Sequence, residues 1–194
     1  MSTLKERYEF LKSLAIGREG FDKLIKYLEE ETEYLIAPAS TRYHLCRREG
    51  LLEHSCNVAE TMIKIKKSID RDISDETCAI LGLLHDCGKA GVRGKPMYIE
   101  NEPTPRQKEY GYPATIPYSV NKNLIHMPHA IRSLYIVSTF MKITEKEAQA
   151  IASHDGQYIQ DNHSYAFRES KEALLLHWAD YYSTRFIEEG TERR

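Results

Sequence analysis

Apolar residues recur at helical spacing along most of the chain. Leu4, Tyr8, Leu11 and Leu14 fall at i, i+4, i+7 and i+10, and Phe21, Leu24, Ile25 and Leu28 repeat the stripe. This spacing predicts helices over 3–16 and 19–30. The stretch 37–44 (APASTRYH) breaks the period, and Pro38 with Ser40 marks it as a loop. A long helix is expected from Gly50 to about Ser68. Ser74 or Asp75 can cap the next one, which is expected to stop near Gly88. Pro128 suits the first turn of a helix through HAIRSLYIVSTFM. Thr144 and Glu147 read as a capping box for the helix that Gly156 ends. Residues 157–168 read as loop, and a last helix is expected from about Ser170 to Glu189.

Between 90 and 124 the pattern changes. Gly91, Gly94 and Gly111, with Pro96, Pro103, Pro105, Pro113 and Pro117, break any long helix. The pieces PMYIE and ATIPYSV can pair as a small hairpin. A loop this long inside a compact domain is usually either functional or partly disordered. The expected fold is therefore all-α, with an irregular insert at about 90–124. Residues 1–36 are expected to form a helical extension packed on a domain of residues 37–194.

Composition narrows the class without naming a function. The chain has 194 residues, 29% charged and 41% apolar, which suits one globular domain with a sizeable core. A net charge of -2 gives no global basic footprint for nucleic acid. Cys46, Cys56, Cys78 and Cys87 show no CxxC spacing. The N-terminus is charged from Lys5 onward, unlike a signal peptide, and no apolar run approaches the roughly 18 residues of a membrane span. The expectation is a cytoplasmic protein with reduced thiols and no membrane partner. Nothing in the pattern indicates an oligomeric state.

The chemistry lies in six residues that interrupt apolar stretches: His54, His85, Asp86, His129, His154 and Asp180. Left unpaired in a core, each would cost roughly several kcal/mol. Singly, each histidine reads as a hydrogen-bonded core residue and each aspartate as a cap or ion-pair member. Jointly, in the order H…HD…H…H…D, they read as a metal site. Six groups exceed one tetrahedral structural zinc. They suit two adjacent divalent ions with positions open for water and substrate. The donor set admits Mn, Fe, Ni, Co or Zn. The His85-Asp86 pair offers an imidazole to one metal and a carboxylate able to bridge two.

His54 in EHS, HDCGK at 85–89, His129 with Ser133, SHDG at 153–156 and Asp180 in ADYYS together resemble the HD-domain metal-dependent phosphohydrolases. The resemblance covers roughly 40–190. It implies an all-helical bundle with metals between helices. It also implies His54, His85, Asp86 and Asp180 as core ligands, and His129 and His154 as the extra histidines of a two-metal branch. That branch includes HD-GYP cyclic-dinucleotide phosphodiesterases and a 3'-5' exoribonuclease. Asp155 stands where the branch often carries a second histidine. Gly111-Tyr112-Pro113 precedes His129, so the GYP class is not assigned.

The resemblance makes metal-activated water attacking phosphorus the expected mechanism, with Asp86 bridging the metals. Lys89 is expected to neutralise a phosphate oxygen. Arg42, His44 and Arg132 are further candidates for substrate contact. His177 sits one turn before Asp180 on the same face, and reads as a satisfied core histidine or as a support for that ligand. Lys64, Lys66 and Lys67 read as a solvated face. Tyr98, Tyr110, Tyr112 and Tyr118 can stack a base or simply pack the insert. The expected substrate is small and phosphorylated, a nucleotide or phosphodiester. The alternatives are a 3'-5' exonuclease on short single strands, or a metal-loaded nucleotide-binding regulatory module without turnover.

Overall fold

The computed structural model describes residues 2–69 and 72–188. Its helices are α1 (Leu4–Ala15), α2 (Phe21–Glu31), α3 (Gly50–Ile69), α4 (Asp75–Leu84), α5 (Pro105–Glu109), α6 (His129–Phe140), α7 (Glu145–Ser153) and α8 (Lys171–Tyr182). Strands β1 (Tyr98–Glu100) and β2 (Tyr118–Val120) form one antiparallel hairpin. The protein is all-α apart from this hairpin. No described helix is long and apolar enough to cross a membrane.

The helices start where the sequence places caps. The Thr3 hydroxyl accepts from the Glu6 N–H while Glu6 reaches back to the Thr3 N–H, and Thr144 with Glu147 repeats the device on α7. In α1 and α2 the buried faces carry Tyr8, Leu11, Phe21, Leu24, Ile25 and Leu28. They join one core that runs through α3, α4, α6 and α7 to Ala179 in α8. Helix α4 is buried all round from Cys78 to Leu84, as its uninterrupted apolar sequence requires. It crosses α3 at Gly82, where a Cβ would lie 2.3 Å from the Ala59 Cα. That close crossing sets the distance between His54 on α3 and His85 at the end of α4.

Several boundaries depart from expectation for local reasons. Helix α4 ends at Leu84, well before Gly88. The Gly88 N–H, which a continuing helix would give to Leu84, donates instead to Ser133 Oγ at 2.9 Å. A 3-10 turn, Cys87–Ala90, follows. Pro128 stands just outside α6, at its cap. The stretch after α7 contains a 3-10 turn, Gln160–Tyr165. Helix α8 ends at Tyr182 and widens into a π turn, Ser183–Ile187; residue 189, the expected end, lies outside the described residues. Lys66 is not on a solvated face. Its ammonium donates to the Ile73 carbonyl at 2.6 Å and pairs with Asp75 at 2.7 Å. The described cysteines are all free, and Cys56, Cys78 and Cys87 are buried.

Candidate metal centre

His85 and His154 enter the site by the same device. Each caps the C-terminus of a helix and turns its Nδ1 onto a carbonyl three residues back. For His85 the acceptor is Gly82 at 2.9 Å, and for His154 it is Ile151 at 2.8 Å. A carbonyl only accepts, so Nδ1 carries a proton and each ring turns Nε2 inward, a lone-pair donor whenever that atom is unprotonated. The two helix C-termini add negative dipole ends, which favour a cation. His54 is held differently. Its Nδ1 donates to both Glu188 oxygens, at 3.0 and 3.1 Å, again leaving Nε2 inward.

The four Nε2 atoms fall into two pairs. His54 and His85 are 3.3 Å apart, and His129 and His154 are also 3.3 Å apart. Asp86 lies between the pairs. Its Oδ2 is 3.5 Å from His54 Nε2 and 3.6 Å from His85 Nε2. Its Oδ1 is 3.5 Å from His129 Nε2 and 3.4 Å from His154 Nε2. Asp180 adds Oδ1 to the first group, 3.2 Å from His54 Nε2. Asp155 adds Oδ2 to the second, 3.4 Å from His129 Nε2.

Metal–nitrogen bonds of about 2.0–2.1 Å put neighbouring ligand atoms about 3–3.4 Å apart, so both groups have the spacing of ligand sets. Asp86 Oδ1 is buried and accepts no aligned hydrogen bond. A buried carboxylate oxygen facing two imidazole Nε2 atoms suits a cation, and the residues fit a divalent metal. The His/Asp groups here are able to hold metal.

The electrostatics agree with that donor set. Burial opposes charge on His54, but Asp180 and Glu188 outweigh it and raise its pKa to about 10. Burial likewise opposes charge on His154, and Asp86 with Asp155 raises it to about 9. For His85, burial outweighs the pull of Asp86 and Asp180 and, with His154 and His54 nearby, pushes it down to about 4. Burial would raise Asp86, yet Lys89 and the imidazoles hold it well below the usual carboxylate range. In the metal-free chain, protons on His54 and His154 therefore balance the carboxylates, and metal uptake replaces them.

The family model described as HD domain matches residues 51–185, well over half of the chain. The chain belongs to the HD-domain family. No curated protein and no solved structure matches it. HD domains form a superfamily of metal-dependent phosphohydrolases that bind divalent metals.

Around the HD pair, Gly88 is required by close approach: a Cβ there would lie 2.6 Å from the His129 carbonyl and 2.7 Å from the Ser133 N–H. Its absence lets α6 deliver His129 to the site. Lys89 places Nζ 2.5 Å from Asp86 Oδ2. Burial disfavours that ammonium, but Asp86 outweighs it and pushes its pKa up.

The other sequence candidates fall elsewhere. His44 donates from Nδ1 to Glu188 at 2.5 Å, so it braces the residue that orients His54. Arg42 is exposed on the same loop, outside this cluster of groups. Arg132 is buried and donates to the Ile125 carbonyl at 2.6 Å, which ties the end of the insert to α6. His177 donates from Nδ1 to the His154 carbonyl at 2.9 Å, a backbone contact behind the second group.

Two residues of the site went unread in the sequence. Glu188 is buried, and Asn57 donates to its Oε1 at 3.0 Å. Glu188 reaches His54 because the π turn ends α8 and folds residue 188 back. A continuous helix, which the sequence suggests, gives no such signal.

Proposed function

We propose that this HD domain is a dinuclear phosphohydrolase acting on a nucleotide phosphate ester. One observation carries the reading: the two oxygens of Asp86 each face a separate pair of histidine Nε2 atoms. One carboxylate thereby serves two ligand groups. His54, His85 and Asp180 would complete one site; His129, His154 and Asp155 would complete the other. Divalent ions held there would supply Lewis-acid stabilisation and an activated water for attack on phosphorus.

The chain's own groups do the rest. Glu188, Gly82 and Ile151 hold three rings with Nε2 inward. Lys89 is held by Asp86 beside the ligand groups, where its ammonium would meet a phosphate oxygen once a metal occupied that carboxylate. Its charge offsets the negative charge that grows as the ester is attacked.

The test is the double change His85→Ala plus Asp86→Ala. Elemental analysis of protein purified without chelator should fall from about two metals per chain to below one. Hydrolysis of nucleotides with Mn²⁺, Ni²⁺ or Co²⁺ should vanish while far-ultraviolet circular dichroism keeps most of its helical signal. Undiminished hydrolysis by the variant overturns the proposal.

A further inference from the structure

A cleft of about 490 Å³ opens beside the ligands, between the insert hairpin and the 33–38 segment. Lys89 belongs to both places. Its Nζ contacts Asp86, and its side chain forms part of the cleft wall. Ile36, Pro38 and Met97 give the cleft apolar sides. Tyr98 and Tyr118 line it from the hairpin.

The hairpin register explains the placement of the two tyrosines. Tyr98 pairs with Val120, and Tyr118 pairs with Glu100. The tyrosines are therefore diagonal neighbours on one face, within reach of one another. The charges of Lys89 and Asp86 act on Tyr98. Those of Glu100 and Arg48 act on Tyr118. The wall is tied to the rest of the insert. Asn121 donates its N–H to the Met97 carbonyl and its Nδ2 to the Pro96 carbonyl, both at 2.8 Å.

Size and charge then restrict the occupant. Small-molecule sites run from about 300 to 1,000 Å³, so this cleft takes one nucleotide-sized group. A phosphate has its cation at the inner end, on Lys89 beside the ligands. Arg48 and the carboxylates Glu33 and Glu100 also line the cleft. Carboxylates there repel further phosphates and accept from amino or hydroxyl donors.

We infer that this cleft is the leaving-group subsite of the metal centre. Tyr98 and Tyr118 determine its specificity, selecting nucleoside monophosphates over nucleoside triphosphates and oligonucleotides. The inference rests on the phosphohydrolase reading and adds to it the substrate class and the residues that select it.

The experiment uses the metal-loaded full chain with a nucleoside monophosphate, its triphosphate, a short oligonucleotide and glycerol phosphate. The monophosphate should give the highest kcat/KM. In Tyr98→Ala and in Tyr118→Ala, the kcat/KM ratio of nucleoside monophosphate to glycerol phosphate should fall about tenfold, chiefly through KM, as expected for a lost base-stacking contact. Tyr98→Phe should keep the ratio. An unchanged ratio in both alanine variants overturns the inference, as does a wild-type preference for the triphosphate or the oligonucleotide. If Tyr98→Ala does not fold, the less buried Tyr118 carries the test. Calorimetric titration with a non-hydrolysable phosphonate analogue of the monophosphate reads the cleft without turnover. Tenfold weaker binding in Tyr118→Ala supports the inference, and equal binding overturns it. A wild-type protein that hydrolyses none of the four substrates refutes the phosphohydrolase reading, and the titration still decides the cleft.

Discussion

At the scale of single residues, the metal centre depends on groups that touch no metal position. Glu188 fixes the His54 ring, Asn57 and His44 fix Glu188, and Arg7 on α1 donates to Asn57 Oδ1 at 2.7 Å. Loss of a carboxylate that orients a ligating histidine typically costs about 10–100-fold in metal affinity. Glu188→Ala should show a loss of that size in competition with a chromogenic chelator. Unchanged affinity would mean that His54 needs no such brace. Lys89→Ala should behave in the opposite manner. Metal content should stay, and kcat should fall about 10²–10³-fold, the effect of removing one charge-stabilising donor. A variant that loses metal instead would place Lys89 in folding rather than in catalysis.

At the scale of elements, the contact of α3 with α4 sets the first ligand group. Gly82 is the only residue type that fits against the Ala59 backbone without displacement. Gly82→Ala should separate the helices and destabilise the fold by about 1–3 kcal/mol, the usual effect of overpacking. Urea denaturation measures that loss, and metal affinity should drop in the same variant because His54 and His85 move apart. Thr144 offers a contrast. Its hydroxyl caps α7, so Thr144→Ala should cost about 1 kcal/mol. Metal affinity should remain, since the capped end is opposite His154. A variant of Gly82 as stable as the parent would contradict the tight crossing.

At the scale of the whole molecule, ions held between the helices would act as cross-links. His54 comes from α3, His85 and Asp86 from the end of α4, His129 from α6, His154 from the end of α7 and Asp180 from α8. Binding at one hundred times the dissociation constant adds about 2.7 kcal/mol to stability. For a chain of this size that corresponds to a rise of roughly 5–10 °C in Tm. Thermal scans with Mn²⁺ and with chelator should differ by that much, and the His85→Ala, Asp86→Ala protein should show no difference. Arg18 provides a metal-independent link, joining Glu76 on α4 to the buried Glu147 on α7.

The sequence by itself determined the long helices but not the short α5 within the insert, because helical periodicity and caps are local. Leu4 to Leu28, Ser74 and Thr144 carry that information within a few residues. It also marked the six ligand-type side chains, because each interrupts an apolar stretch where an unpaired polar group is costly. Only the tertiary structure decided how those six divide. The separation of the two Asp86 oxygens onto different histidine pairs depends on the crossing of α3 with α4 and on the approach of α6 over Gly88. Glu188, Asn57 and His44 were illegible for the same reason: their roles are contacts across more than a hundred residues of chain. That Tyr98 and Tyr118 share one face of the hairpin depends on its register, which alternation in strands of three residues does not specify.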